Sequence, residues 1–112
     1  MFEGAIIKET LTDELILDHL EIDKVEIWKT SDAIKYWTMI WFKSSISNFP
    51  QKLSKAMIGG GWYADMKEGN NKYIVFKDAV LKYEIGNASE KEAVLNECRK
   101  RGIPERQLAW SE

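Results

Sequence analysis

A chain of 112 residues fits one domain, because two cores of half that size would each be marginal. Its 45% hydrophobic, 30% charged and 12% aromatic residues can build a core, which excludes a disordered or collagen-like polymer. Sixteen Lys and Arg against eighteen Asp and Glu leave a net charge of −2, without the basic excess of a protein that grips duplex DNA.

The opening Gly4-Ala5-Ile6-Ile7 is a short apolar run before Lys8 and Glu9 and predicts a strand over 3–9. Thr12 can cap a short helix reaching about Leu20, with Asp13 and Glu14 at its positive end and Leu11 stapled onto Ile16. From Asp23 to Lys29 polar and apolar residues alternate, the mark of a strand with one wet and one buried face. Tyr36 to Phe42 carries bulky groups in both alternate rows, which predicts a central strand covered on both faces.

Ser47 or Asn48 can cap a helix that Pro50 enters in its first turn. Its apolar stripe is Phe49, Leu53, Ala56 and Met57, and Gly59-Gly60-Gly61 stops it. Residues 62–66, 72–77 and 79–85 read as a meander of three strands joined at Glu68–Asn71 and Lys77–Asp78. Ser89-Glu90-Lys91-Glu92 is a capping box for a last helix that buries Val94, Leu95 and Cys98 and ends at Gly102 and Pro104. The tail through Leu108 and Trp110 is expected to dock on the body. The sum is a single α+β domain over 1–112, a two-layer sandwich of a mainly antiparallel sheet with helices on one face, similar to ferredoxin-like arrangements. That similarity is one of fold and carries no activity.

Cys98 is the only cysteine, so one chain can form neither a disulfide nor a four-ligand Cys or Cys/His zinc site, and a reducing cytoplasm suits it. No leader and no membrane span are expected, since the apolar runs are broken well before about 18 residues. His19, the only histidine, would have to serve any Cys–His dyad, yet its helix end and the apolar stripe of Cys98 suit structural roles better. Asp13, Glu14 and Asp18 lack calcium-loop spacing and read as a solvated face, so neither a metal nor another cofactor is expected. The glycines at 59–61 follow a helix rather than open one, which suits a turn, or a flap over a pocket, better than a phosphate cradle.

Trp62-Tyr63-Ala64-Asp65 is where a site is sought first. On a strand Tyr63 and Asp65 share a side, where a phenol and a carboxylate can orient a polar ligand or trade a proton. Five tryptophans, Trp28, Trp37, Trp41, Trp62 and Trp110, cannot all be interior in so small a domain. Those at the surface mark either a partner face, the mouth of a cavity, or the rim of an aromatic core.

The ordered pieces Tyr36-Trp37-Thr38, Trp62-Tyr63-Ala64-Asp65, Tyr73-Ile74-Val75-Phe76 and Gly102-Ile103-Pro104-Glu105-Arg106-Gln107-Leu108 resemble a group of small uncharacterised prokaryotic proteins. The resemblance implies a stand-alone cytosolic domain and supplies no activity, ligand or catalytic residue. The expectation is therefore a binding or interaction domain without catalytic activity, with Trp62, Tyr63 and Asp65 at the ligand or partner surface. It would be homodimeric through an exposed sheet face or edge. The alternative is a small acid–base enzyme acting on a polar metabolite, with Asp65 as base and Tyr63 as acid, and a third reading has single-stranded RNA stacking on Tyr73 among lysines.

Overall fold

The computed structural model describes residues 1–31, 33 and 35–112. The apolar opening forms β1 (Phe2–Ile7), and the alternating segments form the hairpin of β2 (Glu21–Lys29) and β3 (Tyr36–Ser44). Then come α1 (Phe49–Ala56), the meander β4 (Ala64–Glu68), β5 (Asn71–Phe76) and β6 (Ala79–Glu84), and α2 (Ala88–Lys100). The strands make one sheet in the order β2-β3-β1-β4-β5-β6, each neighbour antiparallel to the next. This is the α+β class that the sequence predicts. A 3-10 turn over Glu14–His19 stands in for the first helix, so β1 through β4 follow strand–helix–strand–strand–helix–strand with β1 and β3 central. That is a ferredoxin-like core, extended at one edge by β5 and β6.

Register assigns every side chain to a face. On one face Ile6, Ile40, Phe42, Met66 and Val75 close over Phe49, Leu53 and Met57 from the α1 segment, with the Phe42 and Phe49 rings 5.3 Å apart. On the other, Ile74, Phe76 and Tyr83 meet Val94 and Cys98 of α2 and Ile103 and Leu108 of the tail. Each such fully buried apolar side chain contributes about 1.5–3 kcal/mol of transfer free energy. Helices on one face thus describes α1 and the Glu14–His19 turn, whereas α2 lies on the opposite face at the β5–β6 end. The cause is in the meander, where Val75 and Val80 need cover on one side while Ile74, Phe76, Leu81 and Tyr83 need it on the other.

Among the described residues no α-helix packs on the second face over β2, β3 and β1. The 36–42 segment lies inside the sheet, and its Ile40 and Phe42 side is buried. Its Trp37, Met39 and Trp41 side is only half-buried, so it is not enclosed on both faces as its bulky rows suggest. Likewise β2, expected to be half-buried, is exposed along all nine residues, because it is an edge strand beyond the reach of α1.

Caps and boundaries shift for local reasons. Thr12 donates its hydroxyl to the Ala56 carbonyl, so Asp13 becomes the cap, accepting from Leu15 N, and only a 3-10 turn follows. The α1 helix stops at Ala56 because Met57 turns extended to bridge Leu11, which leaves the three glycines as loop rather than cap. Trp62 and Tyr63 precede β4 instead of opening it. The cap of α2 is Asn87, whose Oδ1 accepts from Glu90 N at 3.1 Å and from the Ser89 hydroxyl at 3.0 Å. Glu92, assigned to the box by the sequence, instead pairs with Arg99.

Candidate functional site: an aromatic groove on the open sheet face

Where the second face is bare, the tail forms a wall across it. Residues Ala109–Glu112 run past β4 and β5, held by the Trp110 indole donating to the Tyr83 hydroxyl at 2.8 Å and by that hydroxyl donating to Glu112 Oε2 at 2.7 Å. Lys91 pairs with Glu112 Oε1 at 2.8 Å, and these two partners, Lys91 first, hold the Glu112 carboxyl below its ordinary pKa. Between this wall and the sheet lies a groove of about 650 Å³, floored by Ala5, Met39, Trp41 and Trp28, with Asp65, Lys67 and Lys72 at the foot of the wall. A recess of about 200 Å³ adjoins it, bordered by Trp37, Trp62, Tyr63, Asp65 and Gly61.

Asp65 and Lys72 form the polar anchor. Lys72 is 3% exposed and donates from Nζ to Asp65 Oδ2 at 2.7 Å and to the Ser111 carbonyl at 2.6 Å. An ammonium this buried persists only when paired and hydrogen-bonded, and here it has both. The other Asp65 oxygen, Oδ1, accepts from no described residue, and Asp65 borders both groove and recess. Tyr63 donates its hydroxyl to the Gln107 carbonyl. Burial, reinforced by the nearby Asp65 charge, pushes its pKa up to about 12, so the phenol stays protonated and tethers the tail.

The three residues singled out in the sequence, Trp62, Tyr63 and Asp65, therefore do meet, around the recess. Sequence reading missed Lys72 as the partner of Asp65. The hairpin register would have found it, since Lys67 opposite Lys72 sets Asp65 diagonally across from Lys72 on one face. It also missed the tail as a wall. All five tryptophans border this feature, Trp28, Trp41 and Trp110 in the groove and Trp37 and Trp62 in the recess. Trp37 meets Trp62 edge-on at 5.7 Å, and its buried Nε1 has no hydrogen-bond partner among the described residues.

Other candidates are dispersed. His19 sits in the turn packed on α1 and Cys98 in the core on the opposite face, with its thiol pushed up chiefly by burial, so no dyad assembles. Asp13 caps its turn and Glu14 pairs with Lys8 at 3.3 Å. Among the described residues no three His, Cys, Asp or Glu side chains converge on a metal position. Gly60 and Gly61 adopt φ of 90° and 85° in open space. Tyr73, partly buried, meets Phe2 in a T-shaped ring contact at 5.4 Å beside the first core, with the Lys82 ammonium 5.9 Å from its ring centroid. No helix among the described residues is long and apolar enough to cross a membrane.

Comparison with known protein families, with curated proteins and with solved structures returned no match. What the groove can do therefore rests on its own residues.

Proposed function

We propose that this chain is a ligand-binding domain without catalytic activity, and that its ligand is a small planar molecule presenting a cationic or hydrogen-bond-donating edge. The observation that carries the reading is the gathering of three tryptophans around the groove and the other two around its adjoining recess, with a carboxylate oxygen that has no described partner bordering both. Flat aromatic walls with a few fixed polar groups suit a small ligand better than a protein partner. The Trp41 face already accepts a cation, the Lys24 ammonium 4.1 Å from the ring centroid, which a ligand cation can replace. Acid–base catalysis is the weaker reading, because Lys72 occupies one Asp65 oxygen and Tyr63 directs its proton to Gln107, away from Asp65.

A tryptophan-fluorescence titration with benzamidine, benzamide and benzoate tests this. The three share one ring and differ in the charge and donors of the head group. The expected order of affinity is benzamidine, then benzamide, then benzoate, with millimolar constants suited to fragments and a loss of at least tenfold for benzamidine in Asp65→Asn. Equal response to benzoate, or none to any of the three, overturns the proposal.

A further inference from the structure

The edge strand β2 carries a second, independent message. Nine residues long and exposed throughout, it ends the sheet with a row of apolar side chains on the α1 face. Ile22 is 50% exposed, Val25 49% and Ile27 62%, and Tyr36 of the next strand, on the same face, is 55% exposed. Long open edges invite another strand, and proteins that must stay alone blunt them with charge or with a bulge. Here both devices are present: Lys24 and Glu26 on the opposite face, and a bulge at Asp23.

Their placement repels most strands but accommodates one. Lys24 and Glu26 flank Val25 symmetrically, so a second copy laid antiparallel across a two-fold axis through Val25 brings each Lys24 opposite the partner's Glu26. Counted past the bulged Asp23, Ile22 then falls opposite the partner's Ile27, and the two Val25 side chains meet at the axis. The apolar row thus continues unbroken across the junction, with side chains on matching faces. Moving the axis to Glu26 sets Glu26 against Glu26. Moving it to Ile27 sets Val25 against Lys29 and leaves Lys24 and Glu26 unmatched. Axes between residues put side chains on opposite faces.

From this self-complementarity we infer that the β2 edge is a docking surface for a second copy of this chain, paired antiparallel about Val25 into one continuous sheet. The axis and the apolar row lie outside the groove, whereas Lys24 reaches over Trp41 of its floor and pairs with Glu26 of its own strand at 3.3 Å, so the cross-linking at Val25 is the arm of the test that does not touch the groove.

Size-exclusion chromatography with light scattering over a range of concentrations, on the full chain, provides the test. The wild type is expected to run as a dimer that dissociates on dilution. Lys24→Glu and Glu26→Lys are each expected to weaken dimerisation at least tenfold, because every cross-axis pair becomes like-charged. The double variant Lys24→Glu/Glu26→Lys should recover it, since the swap restores opposite charges. These side chains are exposed, so the variants should keep the wild-type circular dichroism spectrum. Mild oxidation of Val25→Cys should give a covalent dimer far faster than that of Ile27→Cys, Cys98 being buried. A wild type that remains monomeric, a dimer indifferent to charge reversal, or equal cross-linking at positions 25 and 27 overturns the inference.

Discussion

At the scale of single residues, the asymmetry between Asp65 and Lys72 makes the sharpest prediction. Removing the charge of Asp65 strands a buried ammonium, whereas removing that of Lys72 leaves a carboxylate that keeps 29% of its side-chain surface and can rehydrate. Asp65→Asn should therefore cost about 2–3 kcal/mol in urea unfolding, below the full penalty of a broken buried pair because Asp65 touches water, and Lys72→Met only about 1 kcal/mol. Equal costs would mean that Lys72 is not desolvated as described. Tyr63 titrates in the opposite regime. Its pKa of about 12 in the fold stands above the ordinary value of 10.0, so the fold favours the neutral phenol. That contribution is complete below pH 10 and lost as pH rises through 12. The tyrosinate absorbance near 295 nm should show a component titrating at about pH 12 that Tyr63→Phe diminishes. A Tyr63 that ionises at its ordinary pH would place it in water, away from Gln107.

At the scale of elements, the α2 cap separates what sequence pattern gives from what context decides. Both Asn87 and Ser89 have an acid three residues on, and pattern alone favours the serine because Glu92 looks like its partner. In the fold Glu90 is held by Glu84 N at 2.9 Å and Glu92 by Arg99, which leaves Asn87 at the helix start. Asn87→Ala should lower stability by about 1 kcal/mol and Ser89→Ala by distinctly less, read from thermal unfolding. The reverse order would move the cap back to Ser89. The same competition explains the other boundaries. The strands β1, β5 and β6 and the helix α1 were legible because each carries a local apolar run or stripe bounded by turn or cap residues. The Glu14–His19 turn and the end of α1 depend on Thr12 bonding Ala56 and Met57 bridging Leu11, contacts between segments over 40 residues apart that no local pattern carries. Of the site, Trp62, Tyr63 and Asp65 were visible as an unusual cluster. The lysine that completes it was not singled out, because a lone Lys at the start of a strand gives no sign of which face is covered.

At the scale of the whole molecule, coverage is uneven. α1 and its neighbouring turn close one face of the sheet, α2 and the tail close the β5–β6 end of the other, and the remaining half of that face is an aromatic floor beside a polar wall. A double row of bulky residues in β3 signals an interior position within the sheet but does not reveal whether a helix or only a groove lies above the tryptophans. The most direct measurement is therefore one of location. In ¹H–¹⁵N spectra each of the five tryptophans gives an indole signal, and on titration with benzamidine those of Trp41, Trp28 and the recess pair Trp37 and Trp62 should shift together and saturate with one constant. Backbone signals of α1 and of the Glu14–His19 turn, on the far side of the sheet, should stay still. Shifts confined to that far side, or scattered without saturation, would contradict the assignment of the groove as the site of this protein.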